Sequence, residues 1–177
     1  MDLIQPLLVA VFIALVLYGA WSDARELRIP NWLSLSLLAL FFPAAVSAGL
    51  AMEVLTWHLI AGVLMLVLGF ALFAAGVFGG GDAKLMSACA LWLGWDLLLP
   101  FAVAVVLIGG ALSILVILLR KGVGMWPDWL VRCAIGLFEP GKAVPYGIAI
   151  SAGAVILAPR MDTFPPAWRE IMALIWG

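Results

Sequence analysis

Between Asp96 and Arg120 the chain runs "LLLPFAVAVVLIGGALSILVILL" without a single charge. A stretch of about 20 apolar residues has the length of a helix that crosses a bilayer. It is not an isolated run, since 67% of the 177 residues are hydrophobic and only 11% are charged. A water-soluble domain of this size cannot cover itself with so few polar groups. Lipid offers no partner to an unpaired backbone group, so helices and closed barrels are the forms left. The short alternating segments of a barrel are absent. The expected fold is therefore all-α and polytopic.

Six apolar spans are predicted, at about 3–22, 31–50, 55–77, 82–95, 97–119 and 144–159. Pro30-Asn31 stops one helix and starts the next. The fourth span is short, and Asp82 as its N-cap lengthens it. The polar segment 120–143 holds "MWPDWLVRCAIGLFEPGK", with Pro127 near a helix start and Trp126 and Trp129 beside it. It reads as a short cytoplasmic helix on the membrane surface. The tail "TFPPAWREIMALIWG" is amphipathic, with Trp168 and Trp176 at headgroup depth. The N-terminal run lacks a basic region and a small-residue cleavage site, so it is expected to be a mature helix within one domain, 1–177.

Charge placement orients the spans. Arg25, Arg28, Lys84, Arg120, Lys121, Arg132 and Lys142 follow odd-numbered spans, and only Arg160 and Arg169 fall on the other side. By the positive-inside rule the odd loops are cytoplasmic and both termini lie outside. The net charge of −1 and the absence of a Lys/Arg cluster exclude an obvious nucleic-acid partner. Cys89 and Cys133 lie far apart, with no C-x-x-C and no His/Cys cluster, so no zinc site, disulfide framework or cofactor is expected.

Two carboxylates fall at one depth. Asp23 ends span one, and Asp82 begins span four behind Gly79, Gly80 and Gly81. Like charges at close range cannot both ionise, so one proton is shared. The ionised member can then take a proton from water attacking a peptide carbonyl, while the protonated member polarises that carbonyl. The glycines permit backbone angles closed to other residues and leave room for an extended substrate backbone. Taken singly, Asp82 is an N-cap and Asp23 a juxtamembrane charge balanced by Arg25.

Three segments carry a family resemblance. "SDARELRIPNWLS" at 22–34, "GGGDAK" at 79–84 and "VPYGIAI" at 144–150 resemble, in order and spacing, the motifs of type IV prepilin peptidases. The resemblance implies an intramembrane aspartic protease of the G-x-G-D type, with Asp23 and Asp82 as the catalytic pair. It also implies cleavage of prepilin or pseudopilin leaders at the cytoplasmic face of the inner membrane, typically just after a glycine. Larger members carry an N-terminal insert with paired C-x-x-C motifs and methylate the new amino terminus. Without these cysteines the chain resembles the short peptidases of Flp/Tad-type pilus systems, or related archaeal preflagellin enzymes. Methyltransferase activity is not expected. Ile148 stands where the family's last motif often has proline.

Other residues have two readings each. Lys84 either tunes the pair or anchors the motif loop, or else snorkels to the interface. Arg25 and Arg28 read first as topology determinants, Pro30 as a turn former and Asn31 as an N-cap. Pro145, Tyr146 and Gly147 flank the site, although Tyr146 also suits an aromatic belt. His58 reads as an interfacial side chain, Cys89 as a small apolar residue, and Glu53 and Asp96 as outside. Glu26, Asp128 and Glu139 are placed to attract a basic leader. The rival functions are a proton- or cation-coupled transporter, for which both carboxylates sit too near one face, and a structural subunit of a pilus or secretion machine. A presenilin-type enzyme also uses G-x-G-D, but pairs it with Tyr-Asp, where this chain has Ser22-Asp23.

Overall fold

The structure, a computed structural model, describes residues 4–121 and 143–163. The expected surface helix around Pro127, with Asp128, Arg132, Cys133 and Glu139, and the tail with Trp168, Arg169 and Trp176, lie outside the described residues.

The described residues form six α-helices: α1 (Ile4–Glu26), α2 (Asn31–Ser47), α3 (Met52–Ala74), α4 (Gly80–Leu93), α5 (Leu98–Lys121) and α6 (Tyr146–Leu157). A 3₁₀ turn, Ala158–Arg160, follows α6. Three helices, α1, α3 and α5, are long and apolar enough to cross a membrane. The boundaries differ from the sequence expectation by a few residues. The largest difference is at α1, which continues four residues past position 22 and so contains Asp23.

Local chemistry explains the helix ends. Pro30, extended at φ −67° and ψ 139°, precedes α2, where its missing N–H and fixed φ cost nothing. Asn31 is the first helical residue rather than the cap. α3 stops in a Schellman motif: Gly76 has φ +73°, its N–H donates to Phe73 O at 3.0 Å, and Val77 N–H donates to Leu72 O at 2.9 Å. The freedom that Gly79–Gly81 offer is not used for a positive φ; that conformation is at Gly76.

The helices differ sharply in what they bury. α4 is 14 residues long, about 21 Å, short of a ~30 Å hydrocarbon core. It is buried on most of its surface, from Leu85 and Met86 through Ala88 to Leu93, as a largely apolar helix should be. It packs along α3 and also touches α2, α5 and α6. Trp92 anchors its far end, stacked on Phe12 at 4.5 Å and donating Nε1–H to Leu37 O at 2.9 Å. In contrast, only 17–28% of the most apolar stretches of α1, α3 and α5 is buried. Val63, Val67, Val106 and Leu107 are among the large apolar side chains left exposed, a surface that suits lipid rather than water.

Few polar groups sit inside, and several of them tie one helix to another. Ser151 Oγ–H donates to Val16 O at 2.8 Å, joining α6 to α1, and Ser87 Oγ–H donates to Gly62 O at 2.8 Å, joining α4 to α3. His58 is one of these groups. Only 1% exposed, it is not the interfacial side chain expected from sequence. Its Nδ1 lies 2.7 Å from Leu91 O, its Nε2 lies 3.4 Å from Asp162 Oδ2, and its ring packs against Gly94. Gly94, at φ +76°, is the residue there that can both turn the chain and leave room for imidazole. Cys89 is a buried free thiol, in keeping with a small apolar role.

Candidate active site

The contacts bring six helix ends together. The C-terminal ends of α1, α3 and α5 meet the N-terminal ends of α2, α4 and α6. This follows from contacts between Asp23 and Gly147, Lys84 and Asn31, Phe73 and Gly80, and Arg120 and the Ala143 carbonyl. At the opposite end lie His58, Leu91, Asp162 and the bond from Gln5 Nε2 to Thr163 O at 3.0 Å.

Asp23 lies one turn before the end of α1 and is 5% exposed. Its Oδ2 accepts the Gly147 N–H at 2.7 Å. That N–H is one of the unpaired donors of the first turn of α6, so carboxylate and helix end satisfy each other. The approach depends on glycine. A Cβ at position 147 would stand 2.8 Å from Asp23 Oδ2, 2.9 Å from Asp23 Cβ and 2.9 Å from Ile29 Cδ1.

Asp82 is held differently. It is the third residue of α4 rather than its cap, and Gly79 occupies the cap position. The Asp82 Oδ2 reaches back to accept the Gly79 N–H at 3.1 Å, the carboxylate half of a capping box. Its Oδ1 is buried and has no hydrogen-bond partner among the described residues. Ile29 lies against both Gly147, which Asp23 holds, and Gly81, which precedes Asp82, so two elements far apart in sequence converge on one spot.

The three glycines before Asp82 have separate surroundings. Gly79 supplies its N–H, Gly80 lies under the Phe73 ring, and a Cβ on Gly81 would meet Ile29 Cβ at 3.0 Å. Gly81 thus leaves room for Ile29 rather than for an incoming backbone. Ile29 is buried and touches both Gly81 and Gly147. It is a wedge between the two aspartate-bearing segments, a role its place beside Pro30 does not announce. Ser22 donates its Oγ–H to Arg28 O at 2.7 Å. It steadies the turn in which Leu27 has φ +51°, a conformation uncommon for a leucine.

The remaining candidates occupy the rim. Lys84 Nζ donates to Asn31 Oδ1 at 2.8 Å, tying α4 to α2, so Lys84 anchors the motif rather than snorkelling freely. The Arg25 guanidinium sits 5.4 Å from the Trp21 ring centroid and is exposed, away from both carboxylates. Pro145 precedes α6 and is buried. The Tyr146 ring packs 5.1 Å from Phe78 and against Gly109, joining the loop before the glycines to α5 and α6. Glu26 and Arg28 line a polar hollow of about 490 Å³ with Tyr18 and Trp32 on its edge.

A family model described as the type IV leader peptidase family matches residues 10–114. This span contains Asp23, the glycines and Asp82, and stops before Pro145-Tyr146-Gly147. No curated protein and no solved structure matches the chain.

Proposed function

Because the chain belongs to the type IV leader peptidase family, we propose that it is a membrane aspartic endopeptidase whose catalytic pair is Asp23 and Asp82. One observation carries the reading. Carboxylates from α1 and α4 stand at one end of the bundle, on segments wedged together by Ile29, and one of their oxygens, Asp82 Oδ1, is buried with no partner among the described residues. A buried, unsatisfied carboxylate oxygen is costly. At a reaction centre that oxygen is free to bind the attacking water.

The chemistry needs no metal and no covalent intermediate. Two close carboxylates share one proton. The ionised member takes a proton from water as the water oxygen bonds to the scissile carbonyl carbon. The protonated member donates to the carbonyl oxygen. Collapse of the tetrahedral species breaks the C–N bond as a proton passes to the departing amine. The Gly147 and Gly79 N–H groups hold the two carboxylates in place for this exchange.

The substrate in this reading is a prepilin or pseudopilin, cut between its short basic leader and its apolar helix. In this reading all six helices cross the inner membrane and the aspartates lie at its cytoplasmic face, with both termini outside, as the Lys/Arg bias favours. The short α4 then crosses through a locally thinned or shielded region. N-methyltransferase activity is not part of the proposal. The test is cleavage of a pilin precursor in vesicles by wild type, Asp23→Asn and Asp82→Asn. Loss in both variants, with helical content retained, supports the pair; normal cleavage by either rules it out.

A further inference from the structure

α4 is covered on most sides, but α2 and α3 diverge above it and leave a groove of about 520 Å³. Its walls are Leu35 and Leu38 from α2 and Leu59, Val63 and Phe70 from α3. These walls are exposed; Leu35 and Val63 are 63% and 60% accessible. The floor is made of small residues: Gly62, Ser87 and Ala88, with Ser34 beside them. Ser87 spends its hydroxyl on Gly62 O, so the floor offers little polarity to a visitor. Close approach over small residues is how one helix packs on another in a bilayer.

The groove is continuous with the aspartate end of the bundle. The bonded pair Lys84 and Asn31 lines it there, and Lys84 is two residues beyond Asp82. Phe70, on the wall, contacts Phe73 with centroids 6.4 Å apart, and Phe73 covers Gly80. From Lys84 the groove follows α4 to Leu91, a rise of about 10 Å, so it descends from the carboxylates into the apolar depth.

We propose that this groove seats the apolar helix of the substrate, with the junction ahead of that helix passing over Lys84 and Asn31 to the two aspartates. The proposal rests on the peptidase reading and adds where the substrate enters: sideways from the lipid, between α2 and α3. The occupant is a helix rather than a lipid chain because Gly62, Ser87 and Ala88 let a second helix approach closely and the groove runs on to Lys84, two residues beyond Asp82. An acyl chain needs no such floor.

The test uses two probes: a single-span precursor with a basic leader, in vesicles, and a soluble peptide carrying the leader and junction without the apolar helix. Leu35→Trp and Val63→Trp fill the groove from its lipid side. The ratio of kcat/KM for precursor over peptide is expected to fall about tenfold in each, the size of one obstructed packing site. An unchanged ratio, including parallel loss on both probes, overturns the proposal. A second measurement does not depend on turnover. A photocrosslinker placed at Val63 in the Asp82→Asn protein should capture the precursor through its apolar helix. Capture of lipid alone, or of the leader alone, overturns the groove. Failure of wild type to cleave either probe, with the crosslink intact, counts instead against the peptidase reading.

Discussion

Asp23 and Asp82 are chemically the same residue in two different mounts. Asp23 is set inside a long helix, 5% exposed, and clamped by an N–H from α6 at 2.7 Å. The Gly147 backbone comes this close to its Oδ2 and Cβ because it carries no side chain. Asp82 sits in the first turn of the short α4 and is tethered by an N–H of its own segment at 3.1 Å, with its second oxygen unpaired among the described residues. One carboxylate is fixed by tertiary structure and the other by local structure. In the proposed pair, Asp23 would define the geometry and Asp82 would offer the open oxygen to water.

That contrast can be broken most forcefully at Gly147. Gly147→Val drives a side chain into Asp23 and Ile29 and is expected to lower kcat by about 100-fold or more, since a displacement of roughly 1 Å costs that much. Circular dichroism should show the helices intact. Gly81→Ala, on the Asp82 side, meets Ile29 Cβ at 3.0 Å, a clash that a small shift relieves. Its expected loss is about tenfold, and a loss as large as that of Gly147→Val would mean the two mounts are equally rigid.

Smaller effects separate the two ends of the bundle. His58→Ala removes a buried partner of Leu91 O and should cost about 1–3 kcal/mol of stability, read as a lower thermal midpoint in detergent. Because His58 lies at the end away from the aspartates, kcat for precursor cleavage should stay within about twofold, against the 100-fold scale expected at Gly147. Lys84→Met breaks the exposed bond to Asn31, worth about 0.5–1 kcal/mol. Lys84→Gln retains a donor for Asn31 and should recover most of the loss. If Gln fares no better than Met, charge rather than anchoring is what Lys84 contributes.

The sequence made the ends of the helices legible to within a few residues because Pro30 and the charged residues punctuate it. It also placed Asp23 and Asp82 at a common depth, since both border apolar runs. What it hid are features that depend on packing between distant segments. The fourth run looked like a short span, and nothing in its composition shows that it lies at the centre, packed against α2, α3, α5 and α6. Gly79–Gly81 looked like a flexible cradle, yet the positive φ is at Gly76, and Gly81 is small to admit Ile29. His58 looked interfacial because it follows Trp57 near a helix start. Its buried position depends on Gly94 and Asp162, far along the chain.

The central claim is that Asp23 and Asp82 act as one unit, and a double-mutant cycle on precursor cleavage tests it most directly. Measured in vesicles, kcat should fall about 1000-fold or more in Asp23→Asn and in Asp82→Asn alone, and the double variant should be no worse than either, as with residues that act together. Losses that multiply in the double variant, or a single variant that cleaves at the wild-type rate, would contradict it.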